Sequence, residues 1–86
     1  MNVRIPTPLR SYTRNQTNVS ADGATLAELV DDLDRQFPGI AFRIVDEQSR
    51  LRQHMVIWIG DERCRDLSTP VAGLPEVVIM QALSGG

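Results

Sequence analysis

No lysine occurs among the 86 residues, and all nine basic side chains are arginine. Apart from its N-terminal amine, the chain offers no primary amine that an activated acyl group could capture. An arginine-favouring codon usage, as in a GC-rich genome, is the plainest source of that bias. Cysteine is almost as scarce. Cys64 stands alone, which excludes an internal disulfide framework and fits a reducing compartment. His54 is the single histidine, with no cysteine close to it in sequence, so no metal-ligand spacing exists and no metal site is expected. The opening MNVRIPTPLR has no apolar stretch of signal-peptide length, and no run elsewhere is long enough to span a bilayer. A cationic excess is missing too. The formal net charge is −2, whereas a nucleic-acid partner normally requires a basic face. The expectation is a cytoplasmic soluble domain with neither a nucleic-acid nor a membrane partner.

What is present suits one small domain. An apolar share of 42% is ordinary for a globular chain, and a chain of this size buries roughly 60–65% of the surface it exposes when unfolded. In NVRIP, Val3 and Ile5 alternate with polar neighbours, as a short strand does, and Pro6 and Pro8 stop it. QTNVSA is a weaker second strand, with RSYTRN as the polar turn between them. ATLAELVDDLDRQFPG reads as a helix of about three turns. Thr25 and Glu28 have capping-box spacing. Leu26, Leu29, Val30, Leu33 and Phe37 recur on one face, opposite Asp31, Asp32, Asp34 and Arg35. Pro38-Gly39 ends the helix.

IAFRIVDEQSRLRQ fits an irregular segment or a short helical turn equally well. HMVIWIG is a strand by its β-branched and aromatic content, RCRDL a candidate short strand, STPVAGLP a loop, and EVVIMQAL the last strand. Strand, strand, helix, strand, short strand, strand describes a two-layer α+β sandwich with the helix on one face of the sheet.

Both alternating sets of the two long strands are apolar. Val77 and Ile79 share one face of the last strand, Val78 and Met80 the other; Met55, Ile57 and Ile59 alternate with Val56 and Trp58. One set lies under the helix, so the open face carries something like Val56, Trp58, Val78 and Met80. Such a patch marks a binding surface, with Trp58 as its anchor. The competing expectation is that IAFRIVDEQ folds across it.

The chain ends ALSGG. A glycine pair at a terminus has the most backbone freedom to lose and nothing to pack, so it is either a frayed tail or the reacting group itself. Together with IPTPLRSYT and ATLAELVDDLDRQFPGI, that ending resembles the ubiquitin-like sulfur carriers of the MoaD/ThiS family over essentially the whole length. IPTPLRSYT looks most like the branch serving cysteine or thiocarboxylate-siderophore assembly, rather than the molybdopterin and thiamine carriers. The resemblance implies a ubiquitin-like β-grasp, a mixed four- to five-stranded sheet with one main helix packed on one face. Residues 1–81 would form this domain and residues 82–86 a flexible tail.

It further implies that an ATP-dependent, E1-like activating enzyme adenylates the terminal carboxylate, and that a sulfur donor converts it to a thiocarboxylate for a sulfur-acceptor enzyme. Gly86 would then be the reactive terminus, Gly85 and Ser84 the flexible lead-in, and Leu83 the apolar residue that often precedes the tail. Met80, with Val78 beside it, matches the place of an apolar contact to the activating enzyme. That match puts Val77 and Ile79 in the core. The carrier would be a substrate rather than an enzyme, with no bound cofactor, since ATP belongs to the partner. In some carriers a metalloprotease first removes residues after the Gly-Gly.

The physical case for glycine is independent of the family. A tail without β-carbons passes through a channel that would exclude alanine, and five extended residues reach about 16–18 Å. The turn before the last strand, AGLPE, replaces the Asp-Gly-Asp common in this branch, and IGDE stands where Asn-Gly is frequent.

Other features read more plainly. A lone cysteine in a short strand is usually a small core residue, and His54 is expected at a strand edge in water. The DDLD carboxylates are expected to be solvated on the outer helix face. Paired acids for hydrolysis need a cleft, and this chain is barely large enough to form one. AGLPE has one glycine and no following lysine, so it is no phosphate cradle. The second function class is a ubiquitin-like protein modifier or a plain interaction domain using the same terminus and face.

Overall fold

The computed structural model describes residues 1–82. Five strands form one sheet: β1 (Asn2–Arg4), β2 (Asn18–Ser20), β3 (Met55–Ile59), β4 (Glu62–Cys64) and β5 (Glu76–Gln81). Their order across the sheet is β2-β1-β5-β3-β4. The two ends of the chain meet in its middle, where β1 pairs parallel to β5 with Val3 opposite Val77. The other pairings are antiparallel, and the mixed sheet with one main helix is the β-grasp arrangement.

The helix α1 (Leu26–Gln36) forms where the apolar spacing placed it. Leu26, Leu29, Val30 and Leu33 are buried, and Phe37 is half-buried against the same core. The Thr25 hydroxyl accepts the Glu28 N–H at 3.3 Å. The return half of the capping box lands one residue early, because the Glu28 carboxylate accepts from the Ala24 N–H at 3.1 Å, not from Thr25.

Two of the acidic side chains opposite the core correct the expectation of plain solvation. Asp32 accepts from the Asp22 backbone N–H and from Arg35 and Gln36. The first of these, then the arginine, holds its carboxyl below the usual range. Asp34 accepts the backbone N–H groups of Gly39 and Ala41, so it fastens the turn that follows the helix.

That turn resolves the ambiguous segment. Gly39 adopts φ +99° and reverses the chain into a second, short helix, α2 (Ile40–Ile44). Ile40 and Ile44 are fully buried in the same cluster as the α1 leucines, and α2 packs on α1. The segment therefore completes the helix layer and does not fold across the sheet's open face.

From the sheet, Val3, Val19, Met55, Ile57, Val77 and Ile79 face this core. Removing each such side chain from water contributes about 1.5–3 kcal/mol before the entropic cost of ordering it. Thr13, the buried polar residue of the core, donates its hydroxyl to the Gln16 carbonyl at 2.8 Å. A single 3₁₀ turn at Thr7–Leu9 follows Pro6 and buries Leu9 beneath the β1–β2 connection.

Candidate functional site

Burial of Val77 and Ile79 leaves Val78 and Met80 on the opposite face of β5. Register then assembles the patch. Val56 lies opposite Met80 and Trp58 opposite Val78, so the four apolar residues singled out in the sequence stand as two cross-strand pairs on two central strands. Directly opposed side chains on one face sit about 5 Å apart. Met80 is 48% exposed, and Val56, Trp58 and Val78 are half-buried. No element among the described residues packs over them. β5 closes with a last backbone bond, Ala82 N–H to the His54 carbonyl at 2.7 Å, so the patch ends where the tail begins. Leu83, Ser84, Gly85 and Gly86 lie outside the described residues.

Beside the patch is a cleft of about 540 Å³. One wall is the C-terminal part of β5 with Val78 and Met80, and the other is Arg4 and the turn from Pro6 to Arg10. Arg4 and Arg10, and no acidic side chain, are among the residues that line it. The Arg10 guanidinium donates to the Ile5 carbonyl at 3.2 Å, which holds the proline turn in place. The alternation in NVRIP places Arg4 opposite the buried Val3 and Ile5, so its presence on this face was readable. Its place beside Val78 was not, because that neighbour comes from a strand seventy-four residues away.

The remaining candidates sit elsewhere. Cys64 is half-buried against the core, with its sulfur 3.0 Å from the Thr69 hydroxyl, on the helix side of β4. His54 is exposed just before β3. Among the described residues no group of three or more potential metal ligands gathers, and no helix is long and apolar enough to cross a membrane.

The sequence profile of the ThiS family matches residues 3–86. The chain belongs to the ThiS family.

Within that family it is 38% identical over 89 residues to sulfur carrier protein CysO of Mycobacterium tuberculosis, covering 98% of this chain and 96% of that protein. The crystal structure of M. tuberculosis CysO superposes with a TM-score of 0.87 at 37% identity, covering 95% of this chain and 98% of that one. A chain from the Amycolatopsis orientalis BexX/CysO complex matches with a TM-score of 0.88 at 33% identity, covering 99% and 98% of the two chains. This ThiS family member thus shares its ubiquitin-like β-grasp with the CysO proteins.

Proposed function

We propose that this chain is a sulfur carrier, a protein substrate rather than an enzyme, acting in cysteine or thiocarboxylate-siderophore biosynthesis rather than in molybdopterin or thiamine assembly. The observation that carries the reading is its likeness to CysO along nearly the whole chain, on a fold whose open apolar face ends where the Gly-Gly tail begins. The Gly86 carboxylate attacks the α-phosphate of ATP held by an E1-like activating enzyme, and pyrophosphate leaves. Sulfide from a donor then displaces AMP from the acyl-adenylate, giving the thiocarboxylate. The nucleotide is the partner's, and the carrier binds no cofactor of its own. Where residues follow the Gly-Gly, a metalloprotease would first expose the carboxylate. The thiocarboxylate finally delivers its sulfur to the acceptor enzyme.

The intact mass of the protein purified from its native host without reductant tests this directly. A gain equal to the difference between sulfur and oxygen, localised by fragmentation to Gly86, is the expected result. A free carboxylate that persists with ATP, a sulfur source and host extract would shift the reading to a protein modifier or a plain interaction domain.

The apolar face has its own test. Met80→Asp places a carboxylate among Val56, Trp58 and Val78 and should weaken docking to the activating enzyme by about 2 kcal/mol, roughly a 30-fold rise in Kd. Unfolding should be little changed, because Met80 is outside the core. Titration calorimetry measures the first and a thermal melt the second.

A further inference from the structure

The ladder aligns five side chains from five strands in a single row across the open face. Asn18 stands opposite Arg4, Arg4 beside Val78, Val78 opposite Trp58, and Trp58 opposite Arg63. The apolar centre of the patch is therefore flanked by an arginine on each side, one from β1 and one from β4. Three strand spacings separate them, about 14 Å between backbones. Both side chains are exposed. Among the described residues neither takes part in a salt bridge or a side-chain hydrogen bond. The chain's other arginines include several that are engaged: Arg10, Arg43, Arg52 and Arg65 donate to backbone or side-chain oxygens, and Arg35 and Arg50 pair with aspartates. The carboxylate among the strand residues of this face, Glu76, accepts from Asn2 at 2.9 Å, one row away.

Two unpaired cations flanking an apolar centre, in a chain of net negative charge, form a specific pattern. Resting on the sulfur-carrier reading, we infer that Arg4 and Arg63 select the partner that docks on this face. That partner is a protein surface with an apolar centre flanked by carboxylates at matching separation. The apolar centre supplies contact area, while the arginines set orientation and steer the encounter. A partner with lysine or arginine at either flank is repelled. The charged contacts lie at the rim, so salt screens them while the apolar contact persists.

The test is ATP–pyrophosphate exchange by the purified activating enzyme of the source organism, with this chain as the varied substrate. R4E/R63E should raise KM for the carrier at least about tenfold with kcat unchanged, since the tail chemistry is untouched. R4Q/R63Q, which removes charge and keeps much of the stem, should fall between. The wild-type KM should climb with added salt, and that of R4E/R63E should not. Thermal melts of both variants should match the wild type, because neither arginine holds another residue. A KM within about twofold of wild type in R4E/R63E overturns the inference and leaves the carrier reading standing. No exchange with the wild-type chain overturns both. A concentration-dependent dimer in sedimentation, lost in R4E/R63E, assigns the face to a second copy of the chain and overturns it as well.

Discussion

Removing Gly86 should abolish ATP–pyrophosphate exchange with the activating enzyme while leaving the thermal midpoint unchanged. The shortened chain still ends in a glycine carboxylate, so its chemistry is preserved and only its reach changes. One extended residue is about 3.5 Å, whereas reacting atoms must approach within about 3–3.5 Å for attack. On the proposed function, in which Val56, Trp58, Val78 and Met80 hold the folded body on the activating enzyme, the carboxylate would fall short of the phosphate by a full residue. Closing that gap requires undocking the patch or extracting Ala82 from its bond to His54. We expect a rate loss beyond about 100-fold, comparable to the effect of a 1 Å misplacement. Stability is spared because the last strand ends at Gln81 and the core residues lie between Val3 and Ile79. Persistent exchange by the truncated chain would show that Gly86 is not the reacting group.

Gly23→Ala should have the opposite signature, a large loss of stability with the tail chemistry intact in the fraction that remains folded. Gly23 runs hard against the first turn of α1. A Cβ there would sit 2.4 Å from the Leu29 nitrogen and 2.7 Å from the Glu28 carbonyl carbon. These are backbone atoms, and no rotamer change clears them. The loop cannot retreat easily either, since it is fastened on both sides of Gly23. Asp22 donates its N–H to Asp32, and Ala24 donates to Glu28. Leu29 N–H is itself committed to the Thr25 carbonyl at 2.9 Å. Overpacking of this kind costs about 3 kcal/mol. For a domain of this size that lowers Tm by roughly 12–24 °C, a large share of a total stability of about 5–15 kcal/mol. A melt of the variant within a few degrees of wild type would show that the loop yields.

The two glycine positions differ in how readable they were. The terminal pair draws notice in the sequence by its place in chain order, directly after the last apolar strand, and its role is the one proposed above. Gly23 carried no local signal, because its requirement comes from a backbone six residues further on that approaches only once the helix and its cap have formed. The same contrast runs through the elements. α1 was readable from Thr25 to Gly39 because its caps and its apolar period are all local. α2 has five residues, too few for a period to show, and its direction depends on Gly39 at φ +99° and the two hydrogen bonds to Asp34. The aspartates of α1 read as solvated for the same reason: their backbone partners lie outside the helix.

The open face was half legible. Alternation alone told that Val56 and Trp58 share a side of β3, and Val78 and Met80 a side of β5. It did not tell which side the helix covers, and the resemblance to the carriers supplied that choice. Nor did it tell that Arg4 and Arg63 would join the same row.

By itself, then, the sequence determined the helix, the strands and their two-faced character, all of which are written in periods of two and 3.6 residues. The tertiary structure alone decided the strand order, the parallel union of β1 with β5, and the row that flanks Trp58 with arginines. Those depend on hydrogen-bond register between segments up to seventy-four residues apart, as in Asn2 and Glu76. Register is selected only when one apolar face of every strand is buried together.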